Sequence, residues 1–218
     1  MIRSYLKRAL ICIAGLALYG FGNLISIKAG DAGTNAWNTL ALGISGVTEV
    51  SFGAATLLVS CVIILFDVIG RGKLGFGSLL NFLLIPFFSD FFLTVLAAFP
   101  AAPNGVWGVV YTLIAQLILS FALVLYMSAA LGCGPRDTMM VIIGQKMPKA
   151  PIGVVKFLLE SAALVVGIVM GAPFGLGTLL VMVLQASMFQ FACAVCRYEP
   201  RNENHENFMD TIQRFRNK

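Results

Sequence analysis

Apolar residues in this chain do not alternate with polar ones; they run on in stretches of about 20, the length a helix needs to cross the hydrocarbon of a bilayer. Such runs cover residues 6–27, 52–70, 76–99, 105–131, 152–171 and 175–196. Leu, Ala, Val, Ile, Phe and Gly fill them without a period of two, which predicts helices rather than the strands of a barrel. Only those two structures satisfy every backbone polar group in lipid. The pattern predicts an all-α integral membrane protein with about six transmembrane helices. The start, "MIRSYLKRALICIAGLALYGFG", has the basic-then-apolar form of a signal peptide. Its apolar run continues to Ile27, however, and a similar segment, "LILSFALVLYMSAALG", recurs inside the chain, so it reads as the first span.

Two shorter, less apolar stretches interrupt the series: "NAWNTLALGISG" from Asn35 and "PRDTMMVIIGQKM" from Pro135. As helices each would be about 18 Å long, too short to span. They are predicted to be re-entrant or interfacial half-helices, one on each side of the membrane. Pro135 suits the first position of a helix, and Asp137 falls in the first turn, where a carboxylate meets the positive end of the helix dipole.

Self-similarity organises the rest. "GFGSLL" begins at Gly75 and "GLGTLL" at Gly175, about half the membrane region apart. Upstream, Gly33, Trp37, Asn38 and Thr39 align with Gly132, Arg136, Asp137 and Thr138, and "SFG" at Ser51 faces "PIG" at Pro151. This predicts a first repeat over residues 1–100, a second over 101–196, and a tail over 197–218. Three spans per repeat is an odd number, so the second must enter the membrane from the opposite face, giving two inverted three-helix repeats, each with its half-helix.

Charge agrees with that topology. With Arg3, Lys7 and Arg8 cytoplasmic, the segments containing Arg71 and Lys73, then Arg136, Lys146 and Lys149, and the stretch from Arg197 to Lys218 fall on the same side. The opposite loops, near residues 100–104 and 172–174, carry no Lys or Arg, and only Lys28 lies outside. Both termini are thus placed in the cytoplasm, at a cytoplasmic (inner) membrane. Composition removes the soluble alternatives: 59% of residues are hydrophobic, 11% are charged, and the mean hydropathy is +0.90. The net charge of +5 follows from the basic cytoplasmic side facing anionic lipid, with no need for nucleic acid.

The string Gly-x-Gly-Pro-Arg-Asp-x-x-Met at Gly132–Met140, the Ile-Gly pair at Ile152, Glu160 in the next helix and Gly-x-Gly-Thr-Leu at Gly175 together resemble the YczE/YyaS/YitT family of bacterial multi-pass membrane proteins. The resemblance covers about residues 10–195. It implies the membrane fold, with export of small molecules among the roles suggested for such proteins. In the first half the family's Gly-x-x-Pro-Trp-Asp string reads "GTNAWN", keeping Trp37 but replacing the proline by Ala36 and the acid by Asn38.

Ionisable residues inside the spans are few: Asp67, Asp90, Lys156 and Glu160. A charge at a helix centre costs about 2.5–3.5 kcal/mol on insertion scales, so each calls for a partner, a wet cavity or a proton. Asp90 follows Pro86 by one turn, and Gln190 is its counterpart in the second half. Glu160 stands one turn beyond Lys156, close enough to pair. The candidate substrate or ion pathway is therefore Arg136, Asp137, Glu160, Asp90, Lys156, Trp37, Asn38 and Gln190. Gly75, Gly77, Gly132, Gly134, Gly175 and Gly177 mark helix ends. Gly167 and Gly171 are spaced for close helix packing.

Neither a cofactor nor a metal is expected. "CAVC" at Cys193–Cys196, with His205 nearby, lacks the four ligands of a structural zinc site, and there is no phosphate-binding Gly-x-x-x-x-Gly-Lys loop. Phe208, Met209, Ile212 and Phe215 share one face of a short helix expected to lie on the cytoplasmic leaflet. With no nucleophile and base side by side, the chain is not expected to be an enzyme. The expected function is a secondary transporter or exporter of a small molecule, with an anion as the candidate cargo and protons as the candidate coupling ion. The alternative is a non-transporting membrane partner that scaffolds or regulates another protein.

In a background lacking native cysteines, single cysteines at Asn104 and Pro173 should react with membrane-impermeant reagents from outside the cell. Cysteines at Arg71 and Lys149 should not; the reverse pattern would end the inverted-repeat reading.

Overall fold

Lipid, not water, explains where the side chains of this protein go. In the computed structural model large apolar residues point outward, among them Val62 at 68% exposure, Val183 at 76% and Val169 at 80%. Asn23, Asn38, Thr39, Asp67, Ser89, Thr112, Thr178 and Glu160 are buried. A water-soluble domain hides the first kind and displays the second. The structure describes residues 2–72, 74–132, 134–147, 149–150 and 152–199. The tail helix expected around Phe208–Phe215 lies outside them, as do Lys73 and Cys133.

Among the described residues eight α-helices follow in order: α1 (Ile2–Ile27), α2 (Ala36–Thr48), α3 (Phe52–Ile69), α4 (Phe76–Val95), α5 (Gly105–Met127), α6 (Pro135–Lys146), α7 (Ile152–Val169) and α8 (Leu176–Cys196). No strand occurs among the described residues. Five of them, α1, α3, α4, α5 and α8, are long and apolar enough to cross a bilayer. α7, the sixth expected span, has 18 residues and carries Lys156 and Glu160. α2 and α6 are the two short helices, and they begin within a residue of where the sequence placed them.

Local chemistry sets these boundaries. Asn35 caps α2 by accepting the Asn38 amide at 3.0 Å, Ser51 accepts the Ala54 amide at 3.0 Å to start α3, and Asn104 accepts the Trp107 amide at 3.1 Å to start α5. α6 opens on Pro135, which needs no amide acceptor, after Gly134.

α1 and α5 pack on each other at the centre, α4 lies on α1, and α8 lies on α5. α2 packs against α7, and α6 against α3. Exchanging α1–α4 with α5–α8 maps these pairings onto one another. The main exception is that α3 packs on α4, whereas α7 and α8 form no comparable seam.

Where backbones approach most closely, glycine is required. A Cβ on Gly167 would lie 2.7 Å from the backbone of Thr39 and Leu40 in α2, and one on Gly43 would lie 2.8 Å from the Gly167 carbonyl oxygen. Gly171, by contrast, has open space around it and φ +88°; it ends α7 rather than packing it. The Gly-x-Gly strings lock the halves together. The Gly77 amide donates to the Leu131 carbonyl at 2.7 Å, and a Cβ on Gly132 would meet the Gly75 Cα at 2.8 Å. In the other half, a Cβ on Gly175 or Gly177 would run into the Ala32 carbonyl at 2.9 Å or 2.7 Å. α4 and α8 thus each start against the loop that leads into the opposite half's short helix.

Candidate functional site

Because those loops are pinned, α2 and α6 both begin inside the bundle, and their first turns face each other. Trp37 and Arg136, which occupy the same place in the two aligned strings, stack: the guanidinium carbon lies 4.8 Å from the indole centroid. Both helices are held in the same way, Thr39 Oγ1 donating to the Asn35 carbonyl at 3.0 Å and Thr138 Oγ1 to the Gly134 carbonyl at 3.2 Å.

A cavity of about 150 Å³ opens at this meeting point, and every one of the eight helices contributes to its wall. Besides Trp37, Arg136 and Asp137, it is lined by Tyr19 from α1, Thr56 and Ser60 from α3, Asn81 from α4, Gln116, Ser120 and Tyr126 from α5, Lys156 and Glu160 from α7, and Gln185 from α8. Lys156 and Glu160 stand one hundred positions after Thr56 and Ser60, so aligned positions face the same space with charged side chains in one half and hydroxyls in the other.

The four charged groups of the cavity balance. Lys156 Nζ lies 3.8 Å from Glu160 Oε1, as the spacing of one turn predicts. Glu160 is also bonded by the Gln185 amide, which ties α7 to α8 where their helices do not pack. Tyr126 Oη and Asp137 Oδ2 are 3.4 Å apart, and Tyr19 and Arg136 line the same cavity. At the start of α6 the backbone offers little: Pro135 has no N–H, while the Asp137 and Thr138 amides turn back to the Gly134 carbonyl at 3.1 Å. The strongest donor at this end is the Arg136 guanidinium.

Of the residues singled out from the sequence, the fold brings Trp37, Arg136, Asp137, Lys156, Glu160 and Gly134 to the cavity. Asn38 turns away from it: its amide donates to Asn23 Oδ1 at 2.9 Å, and Asn23 donates to Ser89 Oγ at 2.9 Å, a buried polar chain joining α2, α1 and α4. Asp90 lies elsewhere too. It accepts from the Ser51 hydroxyl and, at 2.6 Å, from the Gly53 amide, so α4's carboxylate caps the first turn of α3. A Cβ on Gly53 would stand 2.5 Å from the Asp90 Cγ, which explains the glycine. Gln190 is exposed on α8; with α7 and α8 unpacked, it has no helix start to cap. Gly75, Gly77, Gly132, Gly175 and Gly177 hold the loops rather than line the site.

Sequence reasoning missed Tyr19, Asn81, Gln116 and Gln185. Their signal is simple in retrospect: each is a lone polar or amphipathic side chain in an apolar span, and lipid gives such a group no partner.

The chain belongs to the family of unknown function DUF6198, whose match covers residues 6–194. It is 32% identical over 186 residues to an uncharacterized protein of Haemophilus influenzae, covering 85% of this chain and 83% of that one. It is also similar to the uncharacterized membrane protein YczE of Bacillus subtilis, at 27% identity over 180 residues and 82% of each chain. No solved structure matches it. Fold and relatives together make this a multi-helix membrane protein of the YczE kind.

Asp90 and Glu160 should separate in mutagenesis. Asp90→Ala leaves the start of α3 uncapped and should lower stability in detergent by about 1–3 kcal/mol, read as a fall in thermal midpoint, without altering ligand-induced stabilisation. A change in ligand response with no loss of stability would place Asp90 in the site instead.

Proposed function

We propose that this protein is a secondary transporter of a small anionic molecule, built as two inverted repeats of three spans each, α7 being the sixth. Residues 1–100 and 101–196 form the repeats, and the termini face the cytoplasm of a bacterial cell. The observation that carries this reading is the contact of Trp37 with Arg136. Aligned positions on two broken helices meet in a polar cavity deep in a bundle whose outer surface is apolar. A guanidinium held where two short helices begin suits an anion, and the interface between repeats is where rocking of one half against the other exposes a site to alternate sides.

Within this reading Arg136 binds a carboxylate or phosphate through two parallel hydrogen bonds, with Trp37 holding the guanidinium plane. Tyr19, Asn81, Gln116 and Gln185 supply further donors. Since the cavity's charges already cancel, an entering anion leaves an excess negative charge, which a proton on Glu160 removes. Lys156 and Gln185 keep that carboxylate placed.

The test uses the purified protein with a panel of small carboxylates and phosphates, scored by the rise in thermal midpoint. An anion that stabilises the wild type should bind Arg136→Lys at least about ten-fold more weakly, a loss of roughly 1.4 kcal/mol, because an ammonium cannot reproduce the paired bonds. Asp137→Asn should bind it as well or better. Equal stabilisation of all three proteins would remove the anion site. In proteoliposomes Glu160→Gln should keep anion binding and lose the pH dependence of uptake, whereas an unchanged pH profile would return Glu160 to packing.

A further inference from the structure

Asp67 is the most deeply buried charged side chain described, with no exposed surface, and neither of its carboxylate oxygens has a hydrogen-bond partner. It lies on α3, one turn after Ile63 and two after Val59, on the face that packs against Met139 of α6. Ser60, which lines the cavity, is about 10 Å back along the same helix. Beyond Asp67 the chain turns, the Gly72 amide bonding the Asp67 carbonyl at 2.7 Å. That turn fits tightly beneath α6: a Cβ on Gly72 would lie 2.5 Å from Thr138, and one on Gly70 2.9 Å from Ile142. The turn that closes over the acid is thus held beneath α6.

Among the described residues, the charged groups on the neighbouring elements do not reach it. α2 has none within the helix, and Glu49 follows its end. On α4, Asp90 is engaged with Ser51 and Gly53 at the far end of α3, about 24 Å away. On α6, Arg136 and Asp137 face the cavity and Lys146 is exposed in the last turn. Arg71, in the turn itself, is also exposed, and Lys73 lies outside the described residues. The fold does not require an acid here. The aligned position in the second half is Gly167, which serves helix packing alone.

We propose that Asp67 is a proton-binding site, occupied while α6 covers it and emptied when α6 lifts. The carboxyl Oδ–H bond breaks, the electron pair stays on Asp67, and the proton passes to water on the side of the Arg71 turn. A buried carboxylate without donors is far less stable than the neutral acid, so cover and proton go together. α6 carries Arg136 at its first turn and packs Thr138 and Ile142 on the turn that follows Asp67, so a movement of its first turn in the cavity is felt at Asp67. This coupling role rests on the transport reading; the proton site itself does not.

The experiment is an infrared pH titration of the full-length protein in lipid vesicles, with no cargo added. A protonated-carboxyl stretch should be present at neutral pH, vanish in Asp67→Asn and persist in Glu160→Gln and Arg136→Lys. Asp67→Glu should shift the band rather than delete it, which guards against a misfolded Asn variant. A band unaffected by both substitutions at Asp67, or none at neutral pH, overturns the proposal. Failure of the Arg136 binding series with the band intact would sink the anion site alone.

Discussion

A helix that begins inside an apolar bundle leaves amides and carbonyls that apolar surroundings cannot satisfy, and the rest of this structure follows from how two such helices are accommodated. The loops into α2 and α6 must be covered by protein. They are covered reciprocally, by the glycine-rich starts of α8 and α4. With the loops pinned, the first turns of the short helices have one place to point, toward each other. Trp37 then meets Arg136, and the six long helices stand around that contact as a wall.

The same constraint explains why so few residues are polar and why nearly all of them have assigned partners. Asn38, Asn23 and Ser89 form one chain, Asp90 caps α3, and Arg8 donates to the Ala129 and Ala130 carbonyls at 2.7 Å, closing the end of α5. Each bond joins two helices at the cost of one apolar position apiece. Against that background the bare carboxylate of Asp67 is an exception.

Hydrophobic run length made the long helices legible, since a span's start and stop are set by the bilayer rather than by distant contacts. The short helices were legible as stretches too short and too polar to span, with Pro135 marking the start of the second, and these are local signals that need no tertiary knowledge. The repeat in sequence pointed at Trp37 and Arg136, although nothing in either string says that they touch. Partners were not legible. Asp90 and Gln190 align, yet one caps a helix and the other is exposed, because α3 packs on α4 while α7 and α8 stand apart. Lys156 and Glu160 were readable as a pair because their spacing is local. Gln185, which completes it, comes from another helix, and helical period carries no information across helices.

The order in which these polar contacts can form follows from chain position. The bonds among Asn23, Asn38 and Ser89, and those of Asp90 with Ser51 and Gly53, lie within the first ninety residues to emerge during synthesis. The Gly33 carbonyl instead waits for Thr112, the Gly77 amide for Leu131, and Arg8 for Ala129 and Ala130. The early half can thus settle part of its own interior, leaving the Gly33 carbonyl, the Gly77 amide and the Arg8 guanidinium to be met by segments inserted next.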